Sequence, residues 1–395
     1  MTVSGAGRDV ARRRVVESHR LARRAFRLGA VFVVAAVAWS GWVLAGGGPW
    51  WGPIHAFAAG GVLLAISGAT QLFTITWSAA PAPRPAVAAV QRWALAAGVG
   101  LVLAGRVTES RWSLVAGAMS VLAGLVTLGW ILVGTIRRSL LRRFDLSSRF
   151  YLVALAAGVV GVGLGGFMGS GAAGDRLAGI RLVHYHLNLV GLVGFVIVGT
   201  LPTILPTFAH HRMVSGREAK VAWWLAVGSV VSMMAGLVFG AVAVGLGSVL
   251  AGAALLLVLG GVVGRLGRRG LRGGLAYLQV VAGCGWLAAW VFVDGWRLVS
   301  GRGPDRTWVG AALVAGVGQV LFGALAYLLP VLAGRPPRLG RNLDRTHRRP
   351  WLPLVSANLA GVGFFVSATV ATVAAGVWVA DFAYRIGRMQ WRDAD

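Results

Sequence analysis

About eleven apolar stretches, each of roughly twenty or more residues, follow one another along this chain, and each is long enough to cross a bilayer as a helix. They lie near 28–46, 54–77, 87–106, 112–136, 150–169, 183–206, 220–243, 245–264, 273–293, 307–333 and 351–380. The third is the weakest, because Arg92 and Trp93 stand near its start. Inside hydrocarbon every backbone amide must find its partner within the segment, so each stretch is expected to be helical. The expected fold is an all-α polytopic bundle of 10–12 spans. Only 13% of the 395 residues are charged, against about 25% in soluble domains. No connecting loop exceeds about seventeen residues, which leaves no room for a soluble domain. The expected organisation is a basic cytoplasmic tail at 1–27, one transmembrane domain at 28–383 and a short tail at 384–395.

A formal net charge of +26 would suggest a nucleic-acid partner in a soluble protein. Here the arginines crowd into the tail and the loops, as in RRSLLRRFDLSSR at 137–149, RLGRRGLR at 265–272 and the six arginines of 334–350. That placement sets topology and favours anionic lipid headgroups, so the expected partner is the bilayer and not nucleic acid. Residues 47–53 carry no charge. The positive-inside pattern puts the N-terminus in the cytoplasm of a cell-membrane protein, and nothing at that end reads as a cleaved leader. An odd number of spans then puts the C-terminus outside. Arg385, Arg388 and Arg392 fit that side poorly, which points to a miscounted span near one end. Cys284 is the only cysteine, which excludes an intrachain disulfide and any multi-cysteine metal cluster. No Gly-Lys-Ser/Thr phosphate loop is present, and no internal repeat is evident in the sequence.

The chemistry must lie in polar residues within or beside the spans. His55 opens the second span, and His184 and His186 open the sixth, all at the outer end. Met168 closes the fifth span at the same depth, and Met119 lies in the outer half of the fourth. Imidazole and thioether together suit copper; imidazole alone suits haem iron, copper or zinc. A single helix-end histidine also sits comfortably in the headgroup region and binds nothing. Three at one depth point to a shared site, with His55 and His186 the first candidates, then His184. Met168 reads more readily as packing. His184 and His186 are about 200° apart on a regular helix, so they diverge unless the first turn unwinds. His184 and Asn188 share a face, which suits Asn188 to orient the imidazole or a ligand. His19, His210, His211 and His347 are assigned no role. In the tenth span Gly316, Gln319, Gly323, Tyr327 and Pro330 form one face, and Gln319 is expected to make an interhelical hydrogen bond. Thr70, Gln71, Thr74 and Thr76 place polar groups in the inner half of the second span, and Asn358 does so in the eleventh. Arg106 and Glu109 are expected to pair at an outer helix end.

Three of these stretches carry a resemblance. HYHLNLVGLVGFVIVGTLPTILPTF at 184–208 resembles a His-x-His-Leu-Asn-Leu-x-Gly segment of membrane proteins related to the haem–copper oxidase catalytic subunit. GQVLFGALAYLLPVLAG at 318–334 is similar to a second segment of the same actinobacterial-type group. HAFAAGGVLLAISGATQLFTITWS at 55–78 is similar to the glycine-rich second helix of the NnrS family. The resemblance implies haem and/or copper, with His55, His184, His186, Asn188 and Gln319 around the cofactor and His55, His184, His186 and Met168 as metal ligands. It also implies a role in redox or nitrogen-oxide metabolism. The departures limit it. An oxygen reductase of this kind needs about six histidines, but this chain offers three on the outer side. The seventh span lacks a histidine pair, and Gln319 stands where haem-ligand histidines belong. Terminal oxidase activity is therefore not expected, and whether the protein is an enzyme is left open. The alternatives are a permease for copper or a small solute, with Gln319, Asn188 and Thr70 along its path, or a non-catalytic partner of a respiratory complex or copper protein.

Overall fold

The computed structural model describes residues 5–140, 145–212, 216–333 and 338–389; Arg142, Arg143, Arg335 and Arg392 of the basic loops and tail lie outside them. The described residues form helices joined by turns, with no strand. Nine helical runs among them are long and apolar enough to cross a membrane. In chain order these are α1 (Gly5–Leu44), α2 (Trp51–Ser78), α3 (Pro85–Val107), α4 (Arg111–Arg137), α5 (Asp145–Gly169), α6 (Gly174–Phe208), α7 (Arg217–Phe239), a run from Ala241 to Val299, and α10 (Arg306–Ala333). The 241–299 run folds back on itself, as α8 (Ala241–Leu266) and α9 (Gly274–Val299) packed together across the turn Gly267–Gly273. Gly267 and Gly274 take φ +50° and +55° at the two ends of that turn, a left-handed region that costs glycine little. Three shorter helices follow: α11 (Arg338–His347), α12 (Trp351–Val366) and α13 (Ala368–Gly387).

The chain divides into two compact units, Met1–Val196 with Gly236–Val238 and Ile197–Ala235 with Phe239–Asp395. In the first unit the arginine-rich stretch read as a tail at 1–27 is helical from Gly5 on and continuous with the first span. It lies along α2. Arg14 donates to the carbonyl of Ala79 at 2.8 Å, a methyl added at Gly68 would lie 2.9 Å from the Ala25 Cβ, and one at Gly29 would lie 3.1 Å from the Gly61 carbonyl.

Among the membrane-length runs, α2, α6 and α10 are the most enclosed by protein. Each contains a π-helical segment: Ala56–Val62, Leu187–Gly194 and Ala312–Gly318. Such segments are rare, and they concentrate where a helix serves a function. They recur at every fourth helix, as a repeated four-helix element would place them. Gly194, Gly199 and Pro206 of α6 have the same spacing as Gly318, Gly323 and Pro330 of α10.

The stretch 351–380, expected as one span, is a helical hairpin in the second unit. Ser367 has extended backbone, and its hydroxyl caps α13 by accepting from the Thr369 amide at 3.2 Å. At the bend a methyl on Gly363 would lie 2.3 Å from the Ala371 amide nitrogen, so only glycine lets the two helices turn this tightly. The far end of α13 is tied back to the start of α12 by one side chain. Arg385 is buried; it grips both Asp381 oxygens, at 2.6 and 3.2 Å, and donates to the carbonyls of Thr346 (3.0 Å), Arg348 and Arg349 (3.2 Å). Arg385 and Arg388 therefore stand beside the arginines of 338–349, which removes the conflict over the basic C-terminal end. At 16 residues α12 is shorter than a full span.

This hairpin makes a topological prediction. Cysteines placed by Arg338→Cys and Arg388→Cys should react with an impermeant maleimide from the same side of the membrane, and Ser367→Cys from the other. Labelling of 338 and 388 from opposite sides would restore a single span. A second expectation concerns His347 beside the clamp. Burial first, then the nearby Arg385, lower its pKa to about 4, while Asp344 opposes the shift and His210 reinforces it. The neutral ring is thus the stable folded form. Its contribution is complete above pH 6.5, where the unfolded ring is also neutral, and drains away as pH falls toward 4. The loss is at most on the order of 3 kcal/mol. Thermal unfolding in detergent from pH 7.5 to 4 should show a smaller loss for His347→Gln than for the parent; parallel curves would refute the assignment.

Candidate functional site

His55, His184 and His186 belong to the first unit, and their local settings differ in an informative way. His55 is the residue directly before the π segment of α2, and its Nδ1 lies 2.8 Å from the carbonyl of Trp51. His186 is the residue directly before the π segment of α6, and its Nδ1 lies 2.8 Å from the carbonyl of Leu182. In both cases the carbonyl is four residues back. A carbonyl only accepts, so Nδ1 carries the proton and Nε2 the lone pair. His55 and His186 therefore stand alike relative to their π segments; before the π segment of α10 the residue is Ala311.

His55 stacks on Trp51 with ring centroids 3.9 Å apart, and the Arg106 guanidinium lies 6.0 Å from the Trp51 ring. Arg106 thus sits over an aromatic face; no ion pair with Glu109 forms, because Glu109 turns away in a left-handed conformation at φ +56°. His186 is fully buried, with its ring 4.1 Å from that of Tyr185.

His184 is held differently. Helix α6 is regular through His186, so the two histidines diverge, as a 200° separation requires. The His184 ring faces α5: its Nδ1 lies 2.7 Å from the carbonyl of Gly161, and a methyl at Gly165 would lie 2.8 Å from its Cε1. Asn188 donates to the His184 carbonyl at 2.7 Å, and its Nδ2 lies 3.4 Å from the ring. A methyl at Gly161 would lie 2.5 Å from that Nδ2. Glycines 158, 161 and 165 form one face of α5, a slot that receives Leu192, Asn188 and His184 in turn. The spacing of three and four stands in GVVGVGLGG at 158–166. His55 lies within electrostatic range of His184.

The remaining candidates separate. Met168 lies on α5 near the Gly165 side, one turn further out, and is partly exposed. Met119 is 60% exposed and points away from the protein. Gln319 belongs to the second unit and is fully buried; it donates to the Ala315 carbonyl at 2.7 Å and exchanges long hydrogen bonds of 3.4 and 3.5 Å with Asn358. The Gln319–Asn358 pair is the expected interhelical bond, and Asn358 in turn accepts from the Trp286 indole at 2.8 Å. On α2 the polar group is tied in part to α3: Ser67 donates to Gln91 Oε1 at 3.0 Å, Gln71 Nε2 donates to the same oxygen at 3.3 Å, and Gln91 donates to the Gly124 carbonyl at 3.4 Å, while Gln71 Oε1 and Thr74 Oγ1 have no partner. Among the described residues no three His, Cys, Asp or Glu side chains gather as a metal-holding group.

The glycine slot can be tested against its own neighbour. Gly161→Ala drives a methyl into Asn188, whereas Gly163→Ala meets nothing within 4 Å. The first should lower stability by about 1–3 kcal/mol in detergent melts and the second should leave it unchanged; equal effects would mean that α5 does not hold Asn188 and His184.

Compared with known proteins, the chain matches no family model and no curated sequence.

Proposed function

We propose that this is an integral membrane haem protein of redox or nitrogen-oxide metabolism, with copper the second candidate, built on the oxidase-related, NnrS-like plan its sequence resembles. The observation that carries the reading is the equivalence of His55 and His186. Both stand at the head of a π segment in an enclosed helix, and both set Nδ1 on a carbonyl four residues back, which fixes the tautomer and the ring direction. Hydrogen bonding of the second nitrogen is how proteins fix a ligating imidazole. His184, set by Gly161 and Asn188 and in range of His55, is the third candidate donor. A haem held there would supply reversible one-electron chemistry. The chain's own part is to fix the imidazole tautomer and ring direction. Met168 and Gln319 play smaller parts in this reading, the latter as a structural bridge.

The topology that goes with it has twelve crossings, α1 to α10 plus α12 and α13, in the plasma membrane with both termini in the cytoplasm. The basic loops at 137–149, 265–272 and 334–350 and the arginines at 385–392 then fall on one side, while 47–53 and the Ser367 bend, both uncharged, fall on the other.

A permease for a small polar solute is the second reading. The Gln71 Oε1 and Thr74 Oγ1 atoms, buried in α2 without a hydrogen-bond partner, favour it. One set of measurements separates the two. Purified protein should show a Soret band or stoichiometric copper, largely lost in His55→Ala and His186→Ala and kept in His211→Ala. No chromophore and no bound metal would sink the first reading, and solute uptake by proteoliposomes lacking both would support the second.

A further inference from the structure

Among the described residues two arginines are buried, Arg385 and Arg92, and their surroundings are opposite. Arg385 has Asp381 and three carbonyls to satisfy its fork. Arg92 sits in α3, seven residues and roughly 10 Å past its start, inside a membrane-length helix. Its one hydrogen bond runs from Nη1 to the Ala88 carbonyl at 3.5 Å, the outer limit for such a contact. The ion pairs of the described residues join other groups, and none involves Arg92. Arg24 of α1, a helix packed against α3, is a second cation within electrostatic range of it. The acid on that part of α1, Glu17, is exposed and two turns from Arg24. A buried guanidinium facing a second guanidinium, with no carboxylate, needs an anion from outside the chain.

The surroundings say which kind. Arg20, Arg24 and Arg27 are all exposed at spacings of four and three, one face of α1. That face lies at the depth where Ala25 and Phe26 meet Gly68 of α2, roughly 15 Å in from the end of α2 at Ser78. Beyond Arg27 the exposed surface of α1 turns apolar, with Val31 and Val34 64% and 68% exposed, and Trp93 of α3 is 56% exposed beside Arg92. Cations, then an apolar strip, with an interfacial tryptophan alongside, match a phospholipid: headgroup first, acyl chains along the valines.

We propose that α1 and α3 form a specific site for an anionic phospholipid, its phosphate held between Arg24 and Arg92. The site is separate from the histidines and stands whether or not they bind a cofactor. Purified protein in mixed micelles of dioleoylphosphatidylglycerol and dioleoylphosphatidylcholine should retain the anionic lipid with a preference of about tenfold in native mass spectrometry. Arg92→Gln and Arg24→Gln should each abolish the preference, and Arg176→Gln, exposed at the start of α6, should not. Arg24 is exposed, so its substitution decides the matter even if Arg92→Gln fails to fold. No preference in the parent protein, or a preference that survives Arg24→Gln, overturns the proposal. So does Arg92-dependent binding of inorganic phosphate without any lipid preference, which would assign the site to a free anion.

Discussion

In hydrocarbon the backbone satisfies itself within each helix, so little is left to pull one helix onto another except close contact. This chain obtains that contact at glycines. A methyl at Gly98 would lie 2.8 Å from the carbonyl of Gly117, and one at Gly283 would lie 2.7 Å from that of Gly316. The first pair joins α3 to α4 and the second joins α9 to α10, one in each unit. Any side chain there would push the axes apart and forfeit dispersion along the whole crossing. The same device builds the His184 setting. Along α5 the space vacated at Gly161 and Gly165 is filled by a side-chain amide and an imidazole, so packing and site have one physical origin.

The π segments extend that economy. A π turn keeps its backbone hydrogen bonds but holds more residues than an α turn, so the face presented after the segment is not the continuation of the face before it. In α2 and α6 this lets a helix present histidine from its outer part and a different set of residues further in. The recurrence at α2, α6 and α10 makes the arrangement a property of a repeated element rather than an accident of one helix.

Much of this was legible in the residues. Ten of the expected spans coincide with helices, the divergence of His184 and His186 follows from 100° per residue, and the bridge between Gln319 and Asn358 follows from the cost of a lone amide in a membrane. The misses have physical causes. The α12–α13 hairpin was hidden because the apolar run passes straight through Ser367 with no proline or charge at the break, and Gly363 reads like any other packing glycine; a serine that caps a helix reads the same as one that does not. Helix α1 was cut short because arginine-rich sequence suggests a solvated tail, yet arginine is a good helix former and its stem packs well. The π segments left no trace because they depend on how neighbouring helices fit. The repeat was half visible: α6 and α10 share their glycine and proline spacing, but α2 carries no proline to match Pro206 and Pro330, so three copies could not be aligned by eye.

The copies have also diverged in how they treat polarity. In α10 the residue before the π segment is Ala311, and the nearby polar group, Gln319, forms a closed set with Asn358 and the Trp286 indole. Such a network holds helices together and leaves little for a ligand. In α2 and α6 the residue at the head of the π segment is an imidazole whose Nδ1 is set on a carbonyl of its own helix. An imidazole used only for packing would need neither the fixed tautomer nor the enclosed helix, because a leucine fills the same volume at lower cost in a membrane. In two of the three helices an imidazole heads the π segment, and in the third an alanine does. That asymmetry, more than the number of histidines, sets the first unit apart from the second.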